Sequence, residues 1–414
     1  MNLIKVTRSG TDPRINMKIN LLLATSAAAL CAFTLLPTRV HATALAYSVS
    51  DLGTLPGDTT SSANGINASG AVVGNSYTQN GSTNHAVVWT DTTPTALGTH
   101  IGYFEPESGA FGISDLGQIV GYTKVWNANA TQATVWTGTT VTGGLGGSTP
   151  PPYAAGELYR SGLVINAAGQ IAGNSTFTLN GGLSRFTVGM VWSGGTANML
   201  NHPSGIPYYN TYLSSFAVGI NNTGQVAGYA TIDYDSNQHA VRWNGVTPTD
   251  LGTIGGTNSE AYGINASGQV AGYSFTAGNS AYHAVRWTGT TAEDLGTLGG
   301  TRSQGYGIND SGDVIGMSFT TDNVANLAFL YTGGTMYSLN SLLLPGSGVS
   351  DLSISGAGTI NDSGQIAAIG TINGQTHALR LTPVPTPEPS SALLLLGSVG
   401  LLAGFRRFGY TNQT

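Results

Sequence analysis

The chain reads as an all-β protein: a β-propeller of seven four-stranded blades, its last blade closed by the N-terminal strand, with a short apolar helix at each terminus. Three observations predict this. First, the motif Ile-Asn-x-x-Gly-Gln-Val-x-Gly recurs seven times, starting at Ile66, Ile113, Ile165, Ile220, Ile264, Ile308 and Ile360, at spacings of 44 to 55 residues. That period matches one four-stranded blade per repeat. Second, 60 of 414 residues are Gly and only 8% are charged. Gly loses backbone entropy in helices, and the abundant Ser, Thr and Asn favour turns, so the composition suits short strands joined by tight turns. Third, the repeat region opens with a fourth strand standing alone and ends without one.

Each repeat divides into strands A to D. Strand A is exemplified by residues 261–265. The Asn-x-x-Gly turn follows, with Asn closing it and Gly accepting positive φ. The turn residues are Asn67 and Gly70, Asn166 and Gly169, Asn221 and Gly224, Asn265 and Gly268, Asn309 and Gly312, and Asn361 and Gly364. Strand B is residues 269–275. Strand C, the His-Ala-Val-Arg-Trp motif, falls at 85–89, 132–136, 188–192, 239–243, 283–287, 327–331 and 377–381. Strand D carries Asp-Leu-Gly, clearest at 250–256 and 294–300. A β-solenoid has shorter coils, and a string of sandwiches needs linkers that this sequence lacks.

Closure follows from the ends of the repeat region. Residues 47–54 supply a strand D, and residues 377–381 a strand C with no D after it. A ring leaves no open edge, so the first segment is expected to complete the last blade. Arg and Asp recur together eight residues apart, as Arg242 with Asp250 and Arg286 with Asp294. Val88 faces Ala96, Val191 Met199, and Leu330 Ser338 at the same positions. Arg380 has no downstream Asp, which predicts a blade-closure pair with Asp51.

The domain boundaries are a signal peptide at 1–42, a repeat domain at 43–382, a Pro-rich linker at 383–390 and a sorting tail at 391–414. An apolar run at 21–36 follows Lys18, and Val40-His41-Ala42 has the small-residue layout of a signal-peptidase site, with cleavage after Ala42 or Ala44. Met17 is an alternative start. A membrane anchor needs about 20 residues and is the lesser alternative. The one cysteine, Cys31, lies in this leader, so the mature chain is expected to carry no disulfide. Pro387-Glu388-Pro389 precedes an apolar run at 392–405 and then Arg406-Arg407. The arginines favour the cytoplasmic side, and a run this short suits a transient anchor.

The Pro-Glu-Pro motif, apolar run and paired arginines resemble the PEP-CTERM sorting signal. The resemblance covers about the last 30 residues and implies recognition and cleavage by an exosortase-like membrane transpeptidase in a Gram-negative, exopolysaccharide-making bacterium; residues 409–414 extend past its usual end. The repeats, over residues 47–382, resemble the HAF-family extracellular repeats, which implies an exported repeat protein and no particular catalysis.

The chemistry-bearing residues read mostly as structure. His85, His239, His283 and His377 recur in strand C as one position per blade, with a metal ring as the sharper alternative. Trp89, Trp136, Trp192, Trp243 and Trp287 read as packing between blades. Tyr103, Phe104, Tyr153, Tyr159, Tyr208, Tyr209 and Tyr212, in the longer inserts, are the better candidates for stacking on glycans. Asn309–Asp313 is half of a calcium loop and reads as a turn. Glu105, Glu107 and Glu157 are the acids a glycosidase pair would draw on, and nothing in the sequence brings two together. No Gly-x-Ser-x-Gly elbow, P-loop or zinc-hydrolase motif occurs. Between the two termini lie 18 acids and seven bases, which excludes a nucleic-acid partner. The reading is of an exported surface or extracellular protein, non-enzymatic and without cofactor. Its expected partners are the export machinery, signal peptidase, an exosortase-like transpeptidase and exopolysaccharide. A glycan-binding propeller is the first alternative and a polysaccharide-active enzyme the second.

Overall fold

The computed structural model describes residues 46–79, 81, 83–99, 107–125, 130–145, 154–179, 184–203, 213–233 and 236–384. The leader with Ala42, the tail with Pro387, Glu388, Pro389, Arg406 and Arg407, and both expected terminal helices lie outside these residues. Among the described residues no helix is long and apolar enough to cross a membrane.

The described chain is almost entirely β and propeller-like. Antiparallel four-stranded sheets follow one another, each built from consecutive strands. The first holds Asp58–Ile66, Val72–Thr78, Asn84–Trp89 and Pro94–Ala96. Repeats 5 and 6 share one sheet, joined where Tyr282 on strand C pairs in parallel with Arg302 on the next strand A. The last sheet is out of sequence order: Tyr47–Asp51 pairs antiparallel with Gln375–Pro383, Tyr47 opposite Pro383 and Asp51 opposite Leu379. The N-terminal strand therefore completes the final sheet, as the permuted repeat predicts.

Local chemistry dictates each unit. In the A–B turn the Gly268 N–H donates to the Asn265 carbonyl and the Gln269 N–H to Asn265 Oδ1. Gly268 has φ +78°, a backbone conformation that strains any residue with a side chain and so favours glycine. Strand A then bulges at Tyr262 against strand B. The bulge drives the Glu260 carbonyl against Gly272, where a Cβ would lie 2.0 Å from that oxygen. The Gly of Gln-Val-x-Gly is thus demanded by close backbone approach.

The core lies between neighbouring units. Trp89, Trp136, Trp243 and Trp287 are fully buried. Trp89 packs with Leu52, Ala63, Ile66, Val72 and Val87 and with Ala367 and Ala378 of the last repeat. Ala227 and Ala240 of repeat 4 likewise pack on Leu251, Val270 and Trp287. Each sheet buries its face against the next, which explains why no repeat is a separate domain.

Candidate functional site

The recurring polar residues converge on one end of an axial cavity. Strands A line this cavity of about 150 Å³ with Ile66, Ile113, Ile165, Ile220, Ile264 and Ile308. The Asn-x-x-Gly turns form its mouth, where Asp115, Asn222, Asp310 and Asp362 gather.

The turn asparagines are buried and link successive repeats. Asn166 Nδ2 donates to the Asn221 carbonyl at 2.9 Å, Asn221 to that of Asn265 at 2.9 Å and Asn265 to that of Asn309 at 3.0 Å. Asn361 reaches Asn67 at 3.0 Å, and Asn67 reaches Ser114 at 3.2 Å. Asn309 is the exception: its Nδ2 bonds Asp313 Oδ2 of its own turn. A second row runs beside the first. The backbone N–H groups of Ala68, Ala167, Ala266 and Asp310 donate to the side chains of Asp115, Asn222, Asp310 and Asp362 of the following repeat. Burial, with the nearby carboxylates of Asp310 and Asp115, holds the Asp362 carboxyl above the usual carboxylate range. The carboxylates here serve as acceptors for neighbouring turns. Asp313 caps its turn through its own N–H and carboxylate, which is the turn role expected for Asn309–Asp313.

The closure pair requires a correction. The Asp51 carboxylate meets His377 Nδ1 at 2.9 Å, not Arg380. Asp250 with His239 and Asp294 with His283 repeat this pair, both at 2.9 Å. Strand alternation is the reason. Asp51 lies opposite Leu379 and shares its face with His377, whereas Arg380, opposite Ser50, points to the other face. His85, whose strand D lacks the Asp, takes Asp58 instead at 3.1 Å. Arg has a different partner: Arg242 Nη1 donates to the Gly268 carbonyl, Arg286 Nη1 to that of Gly312 and Arg380 Nη1 to that of Gly70. Each arginine thus clamps the A–B turn of the next repeat, and Arg380 does so across the closure.

Sequence reasoning missed one linking residue. Ser61, Ser108, Ser215, Ser259 and Ser303, each five positions before the motif isoleucine, are buried. Their Oγ atoms accept the N–H of Ala378, Ala86, Gly189, Ala240 and Ala284 on strand C of the preceding repeat. The fixed five-residue offset was the available signal.

The remaining candidates are scattered. Trp136 Nε1 donates to the Gly98 carbonyl and Trp243 Nε1 to that of Asn201, each in the preceding repeat. Glu107 pairs with Lys124 at 2.6 Å on the surface. Glu105, the insert aromatics Tyr103, Phe104, Tyr153, Tyr208, Tyr209 and Tyr212, and the side chains of Glu157 and Tyr159 lie outside the described residues. Among the described residues no three His, Asp or Glu side chains converge to hold a metal.

No known family and no curated protein matches the chain. Solved structures resemble it distantly. A puromycin-hydrolyzing peptidase of Mycobacterium tuberculosis aligns at 12% identity and TM-score 0.45, over 84% of this chain and 58% of its own. A Trypanosoma rangeli sialidase aligns at 10% and 0.38, over 86% and 59%. YCF48 from Cyanidioschyzon merolae aligns at 10% and 0.39, over 81% and 98%. The chain thus spans little more than half the length of the peptidase and the sialidase, and no activity passes to it from likeness at this level.

Proposed function

We propose that the protein is an exported, non-enzymatic display scaffold of the cell surface or extracellular matrix. Its seven repeats are the blades of one closed ring. It is sorted through a PEP-CTERM, exosortase-like system, its precursor is held in the inner membrane, and its mature form associates with exopolysaccharide.

One observation carries this reading. The described chain enters and leaves the ring at the same edge: the Val384 N–H donates to the Ala46 carbonyl at 2.9 Å, with Tyr47 opposite Pro383. This edge is at the Asn-x-x-Gly end, since Gly364 of the last turn lies against Pro383 and Tyr47. The described chain thus begins and ends on paired strands of one sheet. The repeated polar groups are engaged in holding units together, as a rigid platform requires.

The test is the intact mass of protein recovered from surface and medium, beside a P387A/E388A/P389A variant. Loss of leader and tail in the native protein, with the tail retained in the variant, is expected. A tail retained in both would overturn the sorting reading.

A further inference from the structure

Strand A of five repeats carries a β-bulge two residues before the motif isoleucine, and the bulged residues are Asn64, Phe111, Val218, Tyr262 and Tyr306. A bulge re-aims one side chain. The fold repeats its Ala, Val, Ile and Trp core positions yet fills this position with Asn, Phe, Val and twice Tyr. Asn64 is tolerated there, so packing does not demand an aromatic. Repeats 5 and 6 nevertheless use tyrosine and extend it into a run of rings. Centroids are 5.5 Å apart for Tyr306 and Tyr262, 6.0 Å for Tyr262 and Tyr273, 5.2 Å for Tyr273 and Tyr282, and 5.5 Å for Tyr282 and Phe275. All five rings are half-buried. Phe275 ends strand B and Tyr282 begins strand C, at the end away from the Asn-x-x-Gly turns.

Hydrogen-bonding groups edge this run. Tyr262 Oη donates to Glu260 Oε2 and Tyr306 Oη to Gln304 Oε1, each at 2.7 Å. The exposed Arg302 guanidinium stands 5.7 Å over the Tyr282 ring. Burial and then the Glu260 charge push Tyr229, beside the run, up to about 12, and raise Tyr262 and Tyr273 as well. The phenols therefore stay protonated, as donors.

We propose that this run binds a segment of an uncharged oligosaccharide. Aromatic faces edged by a carboxylate, a carboxamide and a guanidinium suit a sugar, whose C–H face stacks while its hydroxyls find donors and acceptors. The Glu260 carboxylate at the centre disfavours an acidic polymer. The proposal deepens the display reading and rests on it only for where the glycan is met; binding in vitro is independent of export.

The test is calorimetric titration of the full-length chain with cellohexaose, laminarihexaose and xylohexaose, and with polygalacturonate as the acidic probe. Binding of at least one uncharged hexasaccharide is expected. E260Q, R302A and Y282A should each weaken it about tenfold or more, while V246S, in a turn at the opposite end, leaves it unchanged. Thermal unfolding of each variant separates lost binding from lost fold, and the exposed Arg302 keeps one variant clear of the core. Binding of no uncharged hexasaccharide, binding of polygalacturonate alone, or undiminished binding in folded E260Q and R302A would overturn the proposal.

Discussion

Replacing Asn361 by Ala should cost more than the same change at Asn309. Both asparagines are buried, both close an Asn-x-x-Gly turn, and both accept a turn N–H through Oδ1. They differ in one bond. Asn361 Nδ2 reaches the Asn67 carbonyl across the closure at 3.0 Å, whereas Asn309 Nδ2 stays within its own repeat on Asp313. Losing the local turn bonds costs about 1–2 kcal/mol at either site. N361A also removes the bond across the closure, adding about 0.5–1.5 kcal/mol, while the Asn67 carbonyl keeps the Gly70 N–H. The expected totals are about 1.5–3.5 kcal/mol for N361A and about 1–2 kcal/mol for N309A. Equilibrium urea unfolding followed by tryptophan fluorescence measures both, with unchanged m-values guarding against a loss of cooperativity. Equal costs, or a larger cost at Asn309, would refute the argument that the asparagine row ties the ring shut.

Other consequences follow from the same contacts. Trp243→Ala removes a fully buried ring and its bond to Asn201, and should cost about 3–5 kcal/mol by thermal or chemical unfolding. A disulfide between S48C and T382C, register partners on the closing strands, should form on oxidation and raise stability by up to about 5 kcal/mol by cross-linking the chain near its ends; failure to form it without disrupting the fold would deny the closure. Burial raises the Asp250 carboxyl, but the bonds from His239 and from the Gly252 N–H outweigh it, and the pKa falls below the ordinary value. Its contribution is therefore fully present above the unfolded carboxylate pKa of about 4 and lost as pH falls through the lower folded value. In acid-unfolding curves, D250N should flatten that limb and leave stability near neutrality lower than in the unaltered chain.

Much of the fold was legible because periodicity reports backbone geometry directly. Ile-Asn-x-x-Gly marks a turn that Asn, or Ser114 in the second repeat, closes with Gly, and the strand D at residues 47–54 marks the closure before any contact is known. Side-chain partners were less legible. Arg380 with Asp51 was a reasonable pairing from co-occurrence, since Arg and Asp appear and vanish together along the chain. Co-occurrence does not report face, however. His377, three residues earlier and on the other face of the strand from Arg380, is the group that meets Asp51. The serines at 61, 108, 215, 259 and 303 were overlooked for the opposite reason. A lone serine in a Ser-rich sequence stands out only by its fixed five-residue offset from the motif isoleucine, and its role shows only when its partner, a strand C amide of the preceding repeat, is seen.

The arrangement also explains why the repeats are imperfect where they are. A residue whose partner lies in the next repeat is constrained twice, by its own turn and by its neighbour's. Asn67, Arg242, Ser259 and their counterparts are such residues, and they recur. Where a link is absent, another group substitutes within reach: Ser114 stands in the place of an Asn and still offers its carbonyl to Asn67, and His85 turns to Asp58 when strand D brings no carboxylate. Of the bulged positions, only Asn64 bonds the next repeat by its side chain, through Nδ2 to the Ala110 carbonyl. Phe111, Val218, Tyr262 and Tyr306 take no part in the asparagine, arginine and serine links between repeats. On the proposed glycan-binding reading, substitutions at Tyr262 and Tyr306 should therefore alter binding before they alter stability, because the junction contacts lie on other residues.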